Sequence, residues 1–291
     1  MDRPSLIILV GIPGSGKTTY AQNYISQHPK QAVHLSSDGI RKELYGDESI
    51  QGSPYEVFAL MQKRTVDALN NGDDVLYDAT NVTRKDRAGI IGVCPKFAKI
   101  ECHIIWAPIE ECIKRDAARD RTVGKEVIDK MLKRFQAPYY DEGIGEIKIV
   151  RPDGFDDGVY WSTTFDAMSI PHDNPHHARD IEDHCFMTKV YLAKRCRNFD
   201  LLRVAGIHDI GKPYVKAFVD SKGNPCEIAH YYQHQCVGAW MSYGYDYINP
   251  YSAWLVSVHM DPFMNTKYYN NLPSFMKADV DLLHEADLAA H

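Results

Sequence analysis

The stretch Ser5-Leu-Ile-Ile-Leu-Val10-Gly11-Ile-Pro-Gly14-Ser15-Gly16-Lys17-Thr18-Thr19 decides how the first half of this chain is read. Its aliphatic start reads as a strand. The glycine-rich part fits the pattern GxxxxGK[ST] and stands where that pattern has a mechanism, directly after an apolar strand and before a helix. Glycines let the backbone turn tightly, so that its N–H groups and the positive end of the next helix surround a β-phosphate. Gly14, Ser15, Gly16, Lys17, Thr18 and Thr19 are therefore candidate ligands of ATP or another nucleoside triphosphate. Lys17 would meet the β and γ phosphates, and the Thr18 hydroxyl would bind Mg²⁺. The plain alternative is a flexible turn.

Working outward, the first half alternates short β-rich runs with helical patterns, the mark of an α/β unit with a parallel sheet. Strands are expected at 5–10, 32–35, 74–78, 100–106 and 146–150. Helices are expected at 17–25, 54–69, 84–93, 109–119 and 126–135, the second with Ser53 as N-cap and Pro54 in its first position. Arg151-Pro-Asp-Gly-Phe-Asp-Asp-Gly158 breaks the alternation. Beyond it the pattern is helical, at roughly 177–197, 199–209, 233–242, 251–260 and 278–290. The expected organisation is an α/β P-loop domain over 1–152, a linker over 153–170 and an all-α domain over 171–291. A length of 291 residues suits two domains at about 150 residues each.

Residues 1–150 hold 21 Lys+Arg against 21 Asp+Glu, so the remaining 12 against 18 carry the whole net charge of −6. That balance argues against a general nucleic-acid coat. Ten of the 13 histidines lie after residue 170. Two compositions point to two chemistries. Seven cysteines without a CxxC pair read as reduced thiols, and no run approaches the length of a spanning helix. The chain is accordingly expected to be cytoplasmic and to have no membrane partner.

Strand two leads into Ser36-Ser-Asp38-Gly-Ile-Arg41. A carboxylate at the end of the neighbouring strand would lie beside the γ-phosphate, where Asp38 could accept the proton of an attacking hydroxyl. Arg41, three residues on, would share a helical face with Asp38 and hold an acceptor phosphate. Asp38 as a helix N-cap is the competing role. Tyr77-Asp78-Ala-Thr-Asn81 closes the third strand, with Asp78 a candidate Mg²⁺ ligand or simply a turn residue. Arg115 and Arg119, four apart on the predicted helix 109–119 with Arg121 just beyond, would clamp phosphates like a lid. A solvated surface helix with Glu111, Asp116 and Asp120 as partners is the alternative.

The order GxPGSGKT, SxDxxR, DATN and RxxxR resembles the polynucleotide 5′-kinase family of bacterial and phage RNA repair over most of residues 1–150. The resemblance implies Lys17 and Thr18 for phosphate and Mg²⁺, Asp38 as general base, Arg41 for an acceptor phosphate, and Arg115 and Arg119 for donor phosphates.

In the second half, Gly206-Ile-His208-Asp209-Ile-Gly-Lys212-Pro213 follows an apolar helix, which would leave a polar pair inside. An unpaired buried carboxylate is costly, and a metal ion resolves the cost. His177 and His184 are seven apart, on one helical face with Asp180 between them. His234 begins a helix, His259 closes one, and Asp287 lies in a third. This order resembles the HD phosphohydrolase superfamily across about residues 172–291. By that resemblance His184, His208, Asp209 and Asp287 hold one metal, and Asp209, His234 and His259 support a second. Such ligands suit Mn²⁺, Ni²⁺, Co²⁺ or Fe²⁺ better than Mg²⁺. His172, His176, His230, His284 and His291 read as surface or supporting residues. Lys212 and His177 are candidates for a substrate phosphate.

Together the two halves imply a bifunctional enzyme that heals nucleic-acid ends, with RNA the expected substrate. An NTP-dependent kinase would phosphorylate 5′-OH ends, and a metal-dependent activity would remove 2′,3′-phosphates. An RNA ligase is then the expected functional partner. A small-molecule kinase fused to a nucleotide phosphohydrolase is the rival reading.

Overall fold

A computed structural model describes residues 3–28, 32–175 and 179–290. The chain divides into two compact units, Met1–Met131 with Pro138–Asp153, and Leu132–Ala137 with Gly154–His291.

The first unit is α/β. Its strands are β1 (Ser5–Val10), β2 (Ala32–Ser36), β3 (Asp74–Asp78), β4 (Lys99–Ile105) and β5 (Glu146–Val150), and its helices are α1 (Lys17–Gln27), α2 (Ser37–Tyr45), α3 (Pro54–Asn70), α4 (Arg84–Ile91), α5 (Ile109–Ala117) and α6 (Lys125–Leu132). The five strands are all parallel in the order β2-β3-β1-β4-β5. β1 is buried at every residue, which is why it reads as a continuous aliphatic run rather than an alternating one. Ile7, Leu9, Leu76 and Ile105 pack with Ala21 of α1, so the helix that starts at Lys17 lies on the centre of the sheet.

Local chemistry sets the helix ends. Ser53 caps α3 ahead of Pro54, and Thr83 with Asp86 forms a reciprocal capping box on α4. α5 stops at Ala117 rather than running to 119, because the buried carboxylate of Asp116 accepts from the backbone N–H groups of Val123 and Gly124 at 3.1 and 2.9 Å and draws the chain back. Arg119 is therefore in the turn beyond the helix, and the expected shared face with Arg115 does not exist.

The second unit holds α7 (Asp157–Met168), α8 (Ile181–Ala193), α9 (Phe199–Ala205), α10 (Lys212–Val215), β6 (Ala217–Val219), β7 (Pro225–His230), α11 (His234–Ser242), α12 (Pro250–Val258), α13 (Asp261–Met264), α14 (Thr266–Asn270) and α15 (Ser274–Ala289). It is mostly helical but not all α, since β6 and β7 pair as an antiparallel hairpin. The hairpin closes through the Asp220 carboxylate, which accepts from Lys222 N and Asn224 N, with Gly223 at φ +85°. The expected linker 153–170 contains α7, capped by Asp156. Asp180 is the N-cap of α8, so it does not sit on a helical face with His184. His177, His176 and His291 lie outside the described residues. Trp240, Trp254, Tyr243, Tyr245 and Phe135 fill this unit's core. No helix among the described residues is long and apolar enough to cross a membrane.

Candidate active sites

The first site surrounds the loop after β1. Gly14 and Gly16 take φ +78° and +104°, and a Cβ on Gly14 would lie 2.1 Å from the Cys112 carbonyl of α5, so only glycine fits there. Lys17 folds back on its own loop, its Nζ donating to the carbonyls of Gly11 and Ile12 at 2.9 and 3.0 Å. Burial pushes the Lys17 ammonium down, opposed by Asp78 and Asp38 and reinforced by Arg119. An anionic ligand would relieve that burial cost. The Ser15 hydroxyl is buried and has no hydrogen-bond partner among the described residues, while Thr19 is exposed on the first turn of α1.

Asp78, at the end of β3, is buried and is not a turn cap. Its Oδ2 accepts from the Thr18 hydroxyl at 3.0 Å and lies 2.9 Å from His34 Nε2. Hydroxyl and carboxylate thus meet as an oxygen pair of the kind that would hold Mg²⁺. Asp38 is not on the strand next to β1, since β3 intervenes, and it is not the N-cap, since Ser36 accepts from Gly39 N. It lies in the first turn of α2, held by Arg41 at 3.0 Å and Arg121 at 3.4 Å. Arg115 pairs with Glu111 at 2.9 Å, and its guanidinium lies 4.0 Å from where a Cβ on Gly16 would be. The structure thus gathers Lys17, Thr18 and Asp78 at the loop and Asp38, Arg41 and Arg121 beside it.

Sequence reasoning missed what holds the loop in place. Gly11 N donates to Thr80 O at 3.0 Å, and Asn81, at φ +48°, donates its amide to Leu9 O at 2.8 Å. The Asn81 carbonyl in turn accepts from the fully buried Arg87 at 2.9 Å, whose fork grips Glu142 with two bonds of 2.7 Å. Glu142 is 55 residues from Arg87, and no local pattern announces the pair.

The second site is a buried cluster centred on Asp209. His208 and Asp209 occupy the turn between α9 and α10, so the apolar helix ends four residues earlier than expected, at Ala205. Asp209 Oδ2 lies 3.6 Å from His184 Nε2 and 3.4 Å from His208 Nε2, while Oδ1 lies 3.1 Å from His234 Nε2 and 3.9 Å from His259 Nε2. Asp287 Oδ1 is 2.8 Å from His184 and 3.4 Å from His208. The carboxylate of Asp209 therefore faces two half-sites, one per oxygen.

Hydrogen bonding fixes how the rings point. The Nδ1 atoms of His208, His234 and His259 donate to the carbonyls of Ala205, Tyr231 and Val256 at 2.9, 3.0 and 2.8 Å. A carbonyl only accepts, so each Nδ1 carries a proton and Nε2 is left to face the centre. Among the described residues His208 Nε2 is buried without a hydrogen bond, and the Nε2 atoms of His234 and His259 face each other at 3.1 Å. This convergence of inward nitrogens on shared carboxylates fits a divalent ion, with ligand atoms in the sets His184, His208, Asp287 and Asp209, His234, His259 lying within 4.8 Å of one another.

The electrostatics agree. Burial raises and Lys212, His208 and His234 lower the Asp209 carboxyl, which ends well below the usual range. Burial likewise fails to keep Asp287 protonated against the neighbouring His184 and His208. His208 goes well above its ordinary value, the charge of Asp209 overcoming burial, whereas burial and the neighbouring histidines bring His259 down to about 3. Both carboxylates thus stay charged, while His259 stays neutral.

Lys212 is buried, with Nζ 2.6 Å from Asp209 Oδ2 and 3.2 Å from His172 Nε2. His172, expected at the surface or in support, is buried, and burial followed by Lys212 brings it down to about 4. It is therefore the neutral acceptor that shares the lysine with Asp209.

Residues 6–138 match the AAA domain family AAA_33. The first unit thus joins an AAA-domain match to a phosphate-binding loop on a parallel five-stranded sheet. Among curated proteins, the transcription factor bHLH140 of Arabidopsis thaliana is 24% identical over 149 residues, 49% of this chain and 15% of that one. The L-seryl-tRNA(Sec) kinase of Methanococcus maripaludis is 26% identical over 139 residues, 46% of this chain and 53% of that one. This chain therefore spans at most about half the length of these two relatives. Among solved structures, a chain of the Pnkp1/Rnl/Hen1 RNA repair complex is 28% identical with a TM-score of 0.41, over 46% of this chain and 44% of that one.

Proposed function

We propose that this protein heals nucleic-acid ends, RNA ends first among them, with a 5′-hydroxyl kinase in the first unit and a metal-dependent 2′,3′-phosphohydrolase of HD type in the second. The observation that carries the reading is the Asp209 carboxylate, whose two oxygens face separate histidine half-sites on a chain that also bears a P-loop with Asp38 beside it.

In the kinase reaction Asp38 takes the proton of the 5′-hydroxyl as its oxygen attacks the γ-phosphorus and the nucleoside diphosphate leaves. Lys17, Arg115 and Arg119 stabilise charge on the donor phosphates, Thr18 and Asp78 would hold Mg²⁺, and Arg41 positions the acceptor's phosphate. A relative that phosphorylates seryl-tRNA is in keeping with a hydroxyl presented on RNA.

In the second unit His184, His208, Asp209 and Asp287 would hold one Mn²⁺, Ni²⁺, Co²⁺ or Fe²⁺, and Asp209, His234 and His259 another. Metal bound there supplies Lewis acidity and a water acidic enough to attack phosphorus near neutral pH. Lys212 fixes the Asp209 carboxylate and His172 fixes Lys212. The products, a 5′-phosphate and a 3′-hydroxyl, are the ends an RNA ligase joins.

Incubation with labelled ATP and either a 5′-OH oligonucleotide or a mixture of nucleosides tests the reading. Label on the oligonucleotide supports it. Label on nucleosides alone overturns it in favour of a small-molecule kinase, which the net charge of −6 would suit.

A further inference from the structure

The Asp209 cluster is closed on most sides. The side chain of Asp287 keeps 17% exposure, whereas those of His184, His208, Asp209, His234 and His259 keep 8% or less, so the cluster opens at Asp287. His284 lies one turn before Asp287 on the same face of α15. The ring of Phe263 meets His284 edge to face at 4.7 Å. Phe263 belongs to α13, four residues past His259, and is 61% exposed. Its neighbour Met264, also more than half exposed, has its sulfur 3.6 Å from Nε2 of Gln235, the residue after His234. The short helix α13 therefore touches, at the rim, the elements that carry ligands of both half-sites. Exposed apolar side chains are common on this chain, and what sets Phe263 and Met264 apart is that both touch elements that carry the cluster's ligands, where an apolar surface beside polar groups can receive a ligand.

We propose that Phe263, braced by His284 and flanked by Met264, is a stacking platform for the base of the nucleotide whose phosphate reaches the Asp209 cluster. The proposal rests on the phosphohydrolase reading of that cluster. A phosphate at Asp287 leaves its own base within reach of the rim, and an aromatic face binds any base because every base has a π-face. The platform thus distinguishes phosphate esters that carry a base from those that do not, with little preference among the four bases.

The test uses the metal-loaded full chain, with adenosine 3′-phosphate and glycerol phosphate as substrates, and an oligonucleotide ending in 2-aminopurine nucleoside 3′-phosphate as an optical probe. In Phe263→Ala the ratio of kcat/KM for adenosine 3′-phosphate over glycerol phosphate should fall roughly five- to hundredfold. Phe263→Tyr should restore it. Quenching of 2-aminopurine on binding should be strong in wild type and Phe263→Tyr and lost in Phe263→Ala, with metal content equal in all three. An unchanged ratio, or equal quenching with and without the ring, overturns the platform. Wild type inactive on both esters removes the phosphohydrolase reading instead. Quenching then decides alone: its loss in Phe263→Ala supports the platform, and its absence in wild type overturns it.

Discussion

Arg87→Met should damage the first unit more than any other single truncation of a charge there. Arg87 is fully buried, its fork makes two bonds of 2.7 Å to Glu142, and its third nitrogen supports the Asn81 carbonyl. Methionine fills much of the volume but strips the buried Glu142 carboxylate of both short bonds and leaves it only the more distant Arg84, at 3.8 Å, as countercharge. Removing one partner of such a pair costs about 3–5 kcal/mol, while replacing both by apolar side chains is often near neutral. At about 1.4 kcal/mol per tenfold, the opening equilibrium of the sheet should rise by roughly two to almost four orders of magnitude. Amide hydrogen exchange in β1 and β3 reads this directly, because strands at the centre of a unit exchange through its global opening. Arg87→Met/Glu142→Leu should recover most of the protection. Nucleotide affinity should fall in the single variant as well, since Asn81 ties β3 to β1 just ahead of the phosphate loop. A rise in exchange of less than tenfold in Arg87→Met, or a double variant as labile as the single one, would refute the account of the pair as a structural clamp.

Three further outcomes follow from the two sites. Lys17→Ala or Asp38→Ala should abolish phosphoryl transfer and leave phosphohydrolase activity near wild type; kinase activity surviving in Asp38→Ala removes the general base. Arg41→Ala should lose a charge-assisted contact worth about 1.5–3 kcal/mol, a roughly ten- to more than hundredfold drop in kcat/KM for an oligonucleotide acceptor, and far less for a nucleoside. Wild type reconstituted with Mn²⁺ or Ni²⁺ should bind two ions by metal analysis. His259→Ala should bind one, and His208→Ala or Asp209→Ala should lose phosphohydrolase but keep kinase activity. One ion in active wild type, unchanged in His234→Ala and His259→Ala, would take those histidines out of the ligand set.

What the sequence made legible was mostly local. β1, β3 and β5 begin and end at the expected residues, and β1 does so because a strand buried at every residue announces itself as a continuous aliphatic run. The loop from Gly11 to Thr18 is contiguous, so its pattern carries its own geometry. Arg119 was misread because the end of α5 is set by bonds from Asp116 to residues seven and eight positions on, outside any helical period. The 151–158 break disguised α7, whose cap Asp156 sits among the very proline and glycines that suggest a linker. His172 looks like any surface histidine until Lys212, 40 residues away, is seen to share its nitrogen with Asp209. The ligand candidates on α8, α11, α12 and α15 were visible only as residue types in order. Their meeting is a property of how those helices pack.

The segment Leu132–Ala137 groups with the second unit although Pro138–Asp153 returns to the first. Phe135 stands edge-on to the rings of Trp240 and Tyr243, more than 100 residues further along the chain. During synthesis this aromatic leaves the ribosome long before its partners, which at 5–20 residues per second means an interval on the order of ten seconds. The first unit must complete its sheet with β5 while holding a hydrophobic segment open in its own chain. Fragments divided at one point between the two units would inherit the same problem permanently, one carrying an orphaned phenylalanine and the other a core missing a ring.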